Sequence, residues 1–363
     1  MVKIGEIVKK ALAEPRTLSV DELAELVALD DDGAMREVRA AAYELKCRHC
    51  GKTVSMRGLI EIGNVCAKDC LYCGLRKSNA SLTRYRLTAD DIERMARVSA
   101  LQNYGSFVLQ GGEIEGDAYT AFIEDCLRRI APLNLGVTLS LGEQTEEVYR
   151  RWKEAGAARY LLRIETSNPE LYARLHPADH SWERRVECLR ALRRCGYQVG
   201  TGVMSALPWQ TPEDLARDIV FFGDIDADMI GMGPYIPHPD TPLGRVAPPM
   251  DNAERLRIGL NMIAATRLYL HDVNIAATTA LQTLAHDGRE QGVLAGANVM
   301  MPNVTDVQYR RSYQLYEGKP CLDENALACR SCLENRLALI GESINYGQRG
   351  DSPHFHKRVR MCS

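Results

Sequence analysis

The 363-residue chain carries 45 Lys and Arg against 48 Asp and Glu, a net charge of −3, with 45% apolar and 26% charged residues. That balance suits a globular protein with a sizeable core, in one large domain or two ordinary ones. It lacks a basic nucleic-acid stripe, an apolar run near the ~18 residues of a membrane span and a signal-peptide core, so the expected compartment is the cytoplasm and neither nucleic acid nor membrane is an expected partner.

Residues 1–53 read as an N-terminal helical segment, with a Ser19-Val20-Asp21-Glu22 start ahead of Leu23, Leu26 and Val27. From 54 to 305, short apolar runs alternate with amphipathic helices. The candidate strands are 55–63, 106–111, 136–141, 158–164, 198–205, 228–233, 274–279 and 297–301. Between them, Thr88-Ala89-Asp90-Asp91 forms a capping box, and Thr211-Pro212 supplies an N-cap and an N1 proline. Arg184, Arg185, Arg190, Arg193 and Arg194 recur at helical spacing and read as a solvated helix face. Eight strands with helical crossovers predict an α/β fold, a complete (β/α)8 TIM barrel. An open doubly wound sheet also alternates this way, but no Gly-x-Gly-x-x-Gly follows the first strand. Residues 306–363 lose the alternation and read as a C-terminal extension with an accessory cysteine cluster.

Twelve cysteines in a reducing compartment point to metal or redox chemistry rather than disulfides. Cys126, Cys188 and Cys195 lie in helix-like segments and read as packing residues. The others group as Cys47/Cys50, Cys66/Cys70/Cys73 and Cys321/Cys329/Cys332, with Cys362 alone. The first strand leads into Cys66-Ala67-Lys68-Asp69-Cys70-Leu71-Tyr72-Cys73, at the barrel end where chemistry is done. Three thiolates this close wrap one face of a [4Fe–4S] cluster and leave one iron open to a reactant, as a catalytic zinc keeps an open position. A structural zinc site wants a fourth ligand, and none follows nearby.

This Cys-x3-Cys-x2-Cys spacing, with an aromatic before the third cysteine, resembles the signature of the radical S-adenosylmethionine (SAM) superfamily. The second strand ends in Gln110-Gly111-Gly112-Glu113, similar to the superfamily's element for the methionine amino group of SAM. The resemblance then narrows. Asn64-Val65-Cys66, Arg84-Tyr85-Arg86-Leu87-Thr88, Val137 to Glu143, Arg159 to Thr166, Gly233 to Pro242, Ala276 to Thr279, Gly296 to Asn303 and Tyr313-Gln314-Leu315-Tyr316 resemble the HydE family of [FeFe]-hydrogenase maturases. Methylornithine synthase and biotin synthase share the fold and the first motif, but not the blocks at 297–302 and 313–316.

The resemblance implies an enzyme that reductively cleaves SAM to a 5′-deoxyadenosyl radical, which acts on an iron–cysteine–carbonyl–cyanide precursor inside the barrel. It implies, as partners, the maturase that makes this organometallic precursor, the other hydrogenase maturases, and an electron donor such as a ferredoxin or flavodoxin. Cys66, Cys70 and Cys73 then hold the cluster. Tyr72 meets the adenine of SAM or packs in the core. Gln110, Gly111, Gly112 and Glu113 bracket the methionyl part, and Arg185 contacts the SAM carboxylate, with Arg184 beside it leaving the register open. Thr138 and Ser140 share a face of the third strand and bond SAM or a neighbouring strand.

Arg159, Arg163 and Glu165 share a face of the fourth strand, where three unpaired charges would be costly. Glu165 suits SAM, and the two arginines suit a substrate carboxylate; a structural Arg–Glu pair is the alternative. Met204, Pro234 and Ile236 are apolar SAM contacts or core. Thr278, Thr279, Met301, Tyr313 and Tyr316 resemble positions lining the family's lower cavity, although tyrosines at this spacing also suit sealing the barrel floor. Cys321, Cys329 and Cys332 match the spacing at which some members bind a second iron–sulfur cluster. Cys47-Arg48-His49-Cys50 departs from the family pattern; its spacing suits zinc, shared with Cys329 and Cys332. Two other functions remain open on the sequence: a radical SAM rearrangement of a small organic substrate, such as methylornithine synthesis, and a metal-binding scaffold without catalysis.

Overall fold

The computed structural model describes residues 4–246, 250–323 and 326–362. The chain begins with helices Ile4–Ala13, Val20–Ala28 and Asp32–Cys50. The expected start at Ser19 is a capping box. Ser19 Oγ accepts from Glu22 N at 3.2 Å, and Glu22 Oε2 accepts from Ser19 N at 2.7 Å. Leu23, Leu26 and Val27 turn inward from it. No helix among the described residues is long and apolar enough to cross a membrane.

Eleven strands follow in the described residues: β1 Thr53–Gly63, β2 Ser106–Gly111, β3 Gly136–Ser140, β4 Arg159–Leu161, β5 Gln198–Thr201, β6 Met204–Ser205, β7 Met229–Ile230, β8 Gly233–Pro234, β9 Asn274–Ile275, β10 Val299–Met300 and β11 Ser343–Ile344. Eight of them form a curled parallel sheet in the order β10-β1-β2-β3-β4-β5-β7-β9. Ladders join seven seams. At the eighth, β9 and β10 meet through a single bridge, Ala276 to Val299, with Ala277 N donating to Val299 O at 2.9 Å. The expected complete barrel is thus met in its coarser form, an eight-stranded curled sheet with its helices outside.

Two expected strands are each broken in two. Gly202 and Gly231 face one another so closely that a Cβ on Gly202 would lie 1.9 Å from the Gly231 carbonyl oxygen. The chain bends there, and β6 and β8 pair beyond the bend as a separate ribbon. The expected strand 158–164 is observed as Arg159–Leu161, and Glu165 beyond it takes a left-handed backbone conformation with φ 68°.

The last residues close the N-terminal end of the sheet. β11 pairs with β1, and residues 349–352 cross beneath it. Gly350 O accepts from Arg57 Nη2 at 3.1 Å and Asn274 Nδ2 at 2.9 Å. Gln198 Nε2 donates to Asp351 at 2.6 Å. Gly350 has φ 64°, and a Cβ there would lie 2.7 Å from Ser55 Oγ, so only glycine fits. Helix Pro353–Cys362 is then tied to acidic side chains at the same end. His354 bonds Asp226 at 2.7 Å and Asp272 at 3.2 Å, while Arg358 reaches Asp226 at 2.9 Å and Asp228 at 2.7 Å. With this end filled, chemistry is left to the C-terminal ends of the strands.

The hydrogen bonds to Asp226 and then Asp272 raise the His354 pKa from 6.5 to about 9. A raised histidine pKa gives stability that is complete below the unfolded value and is lost as pH rises through the folded one. Thermal unfolding should therefore show Tm falling between pH 6.5 and 9, and His354→Gln should remove most of that slope.

Candidate active site

β1 delivers the chain into a loop whose shape is set by backbone carbonyls. Arg84 donates to the carbonyl oxygens of Asn64 at 2.6 Å, Leu75 at 2.9 Å, Arg76 at 2.6 Å and Asn79 at 3.2 Å. Asp69 takes both arms of Arg76 at 2.8 Å and also accepts from Ser78. Asn64 Nδ2 ties the start of the loop to Thr83 O and Ser312 O. β2 supports it from beside: Ala67 N donates to Glu113 O at 2.8 Å, and Glu113 N points at Cys66 Sγ from 3.3 Å. Gly112 is needed for that approach, since a Cβ on it would lie 2.2 Å from Val65 O and 2.8 Å from Cys66 Cβ.

Cys66, Cys70 and Cys73 are half-buried and free. Burial pushes all three thiols up, Cys70 to about 12. Such thiols become thiolates only when a metal offers compensating charge. Among the described residues no three Cys, His, Asp or Glu side chains gather tightly enough for a single metal ion. A four-iron cube asks for something else, because each thiolate bonds a different iron. Three sulfurs on one braced loop fit that demand.

Beside the loop lies a chain of opposite charges. Lys68 Nζ reaches Glu113 at 3.1 Å and Glu143 at 3.4 Å, and Glu143 accepts from Arg185 Nε at 2.5 Å. Arg185 Nη1 donates to Arg163 O at 2.8 Å. Arg163 Nη2 meets Val203 O and Glu165, each at 2.9 Å. Arg185 is buried and Arg184 half-exposed, which settles which of the two faces inward. Burial raises the Glu113 pKa; at Glu143 burial also pushes upward, but Arg185, Lys68 and Arg184 together hold the carboxyl low. Tyr72 and Met204 sit with Leu71, Leu171, Leu175, Leu207, Tyr235 and Leu243 in an apolar cluster apart from the main core. Pro234, on β8, and Ile236 just after it are buried.

The radical SAM superfamily model matches residues 60–222. Over 338 residues the chain is 44% identical to the [FeFe] hydrogenase maturase subunit HydE of Thermotoga maritima, covering 93% of this chain and 94% of that one. It belongs to the HydE family. The fold is shared more widely: methylornithine synthase PylB superposes with TM-score 0.79 at 22% identity, over 94% of this chain and 98% of that one. The maturase HydG of Carboxydothermus hydrogenoformans gives 0.79 at 19%, over 94% and 79%. The chain is a radical SAM enzyme, and its superfamily implies a [4Fe–4S] cluster and SAM.

Other residues resembling HydE-family positions fall deeper in the sheet. Thr138 Oγ1 is buried without a partner and lines an internal cavity with Arg57, Val108, Met229, Asn274 and Met301. Ser140 ends β3 on the same face. Thr278 Oγ1 is likewise unpartnered, and Thr279 Oγ1 meets Tyr316 Oη at 2.7 Å. Gln110 Nε2 donates to Tyr313 Oη at 3.3 Å. The two tyrosines thus lie toward the C-terminal strand ends; residues 349–352, not they, fill the floor.

Arg159 departs from expectation. It opens β4 at the opposite end from Arg163 and is bound to Asp351 and to Arg349 O. β4 is too short to carry both arginines on one face, and Arg159 is a structural partner of the floor. The C-terminal cysteines differ in their surroundings. Cys329 is buried in the main core, Cys332 is exposed, and neither they nor Cys47 and Cys50 belong to a single-ion site among the described residues. A second cluster is not shown. Cys362 lies on the last helix.

Arg84, Lys68 and Glu143 lie within the motif blocks but are not expected as site residues, because their types are common everywhere; nor is the buried pair of Glu61 with Lys319. Gly112→Ala should destabilise the protein by about 2–3 kcal/mol, since backbone must move. Iron and sulfide analysis after reconstitution should show less than half the wild-type cluster.

Proposed function

We propose that this chain matures [FeFe]-hydrogenase by reductive SAM cleavage, acting on an iron–cysteine–carbonyl–cyanide unit supplied by a partner maturase. One observation carries the reading: a braced three-cysteine loop adjoins the Lys68–Glu113–Glu143–Arg185 charge chain, in a protein alike along nearly its whole length to a HydE. Cys66, Cys70 and Cys73 would hold a [4Fe–4S] cluster with one iron open, which would supply the one-electron reduction needed for cleaving bound SAM to methionine and a 5′-deoxyadenosyl radical. The protein's own residues do the rest.

Cys66, Cys70 and Cys73 hold three irons. Gln110, Gly111, Gly112, Glu113, Thr138, Ser140, Glu165 and Arg185 form the polar side of the SAM site, with Gly112 acting through the loop it lets in. Tyr72, Met204, Pro234 and Ile236 form its apolar side and exclude water. Arg163, Thr278, Thr279, Met301, Tyr313 and Tyr316 face the substrate. The sheet works as a complete barrel, residues 54–305, with 1–53 outside it and 306–363 sealing it. The setting is the cytoplasm, among the other maturases, with a ferredoxin or flavodoxin as electron source. An accessory cluster at Cys321, Cys329 and Cys332 has no part in the reaction.

Anaerobically reconstituted protein should release 5′-deoxyadenosine and methionine under strong reductant, and Cys66→Ser, Cys70→Ser or Cys73→Ser should cut that more than 100-fold, about 2.7 kcal/mol or more of barrel-borne catalysis. A host lacking its own HydE should regain hydrogenase activity from the wild-type chain alone. SAM cleavage without that rescue would favour a rearrangement of the PylB kind instead.

A further inference from the structure

Tyr172 and His176, which have no role in the scheme above, stack into a column of rings with Tyr72 of the cysteine loop. Helix Pro169–Leu175 follows β4 and carries Tyr172, 1% exposed; His176 comes next, 3% exposed. The His176 ring stacks on Tyr172 with centroids 3.9 Å apart and meets Tyr72 edge-on at 5.5 Å. His176 Nδ1 lies 2.9 Å from the Tyr172 carbonyl oxygen. A carbonyl only accepts, so Nδ1 carries the proton and Nε2 is left as an acceptor. The Tyr72 hydroxyl, 3.4 Å from Nε2, is therefore the donor of that pair. Burial drives the His176 pKa down to about 3, in keeping with a neutral ring.

Tyr172 is the unusual member. Its hydroxyl is buried with no hydrogen-bond partner, whereas a buried phenol ordinarily finds one. The charges that bear on it are those of Arg185, Glu143, Cys70 and Glu165, which border the SAM site. A donor left unsatisfied among these groups matches a ligand that brings an acceptor. We infer that Tyr172 donates its hydroxyl hydrogen bond to an oxygen of SAM, and that His176 is a positioning residue fixing both Tyr172 and Tyr72 toward it. The inference rests on the SAM reading of the site.

The test is SAM binding to the reconstituted, unreduced protein, with iron content and Tm measured alongside. Tyr172→Phe keeps the ring stack and removes only the donor. SAM Kd should rise about tenfold, with iron content unchanged and Tm no lower, because the free protein loses no hydrogen bond. His176→Phe should weaken binding similarly, and His176→Gln, which keeps an acceptor for Tyr72, should recover part of the loss. Wild-type SAM affinity in Tyr172→Phe overturns the inference alone. Four irons bound but no SAM binding in the wild type overturns the SAM site as well.

Discussion

Arg84 links one guanidinium to four backbone carbonyls of the cysteine loop, and the placement of the chemistry depends on it. Charged-donor hydrogen bonds of this kind are stronger than neutral ones. They remove the conformational freedom that a polar loop would otherwise keep. Asp69 braces the same loop from its middle, and Gly112 lets β2 lie against it. Three thiols are thereby held in partly desolvated surroundings, where each is raised by burial and favours its neutral form. A bound metal cluster resolves that tension. The architecture around it, strand ends above and charge pairs beside, serves to keep the loop from relaxing in any other way.

The two ends of the sheet treat buried charge differently. At the floor, Arg57, Arg159 and Gln198 are tied to residues 349–351, and Asp226, Asp228 and Asp272 meet His354, Lys357 and Arg358. These groups specify one seating for the C-terminal segment. At the mouth, the chain from Lys68 to Arg163 is paired and borders the unpartnered Tyr172 hydroxyl.

Much of this was legible in the sequence because it rests on periodicity and spacing. The alternation of strands and helices predicts the parallel sheet, and the cysteine spacing with its following Gly-Gly-Glu predicts where the loop and β2 meet. What escaped depends on long-range placement. Arg159 and Arg163 read alike along a strand, and only the early end of β4 and the arrival of Asp351 from 192 residues away separate them. The breaks at Gly202 and Gly231 arise from two backbones meeting, which neither segment shows alone. Cys329 and Cys332 lie three apart on helix Ala326–Leu339, yet the first is buried and the second exposed, a difference their spacing does not show. The close approach of Gly112 to Val65 and Cys66 likewise joins two segments that neither shows alone.

The central claim is that Cys66, Cys70 and Cys73 hold a four-iron cluster whose open iron takes SAM. Low-temperature electron paramagnetic resonance of the reduced protein tests it most directly. The account predicts the signal of a one-electron-reduced [4Fe–4S] cluster, a change in its g-values on adding SAM, and loss of both in Cys70→Ser. A four-iron signal that ignores SAM, or one that survives in Cys70→Ser, would contradict it.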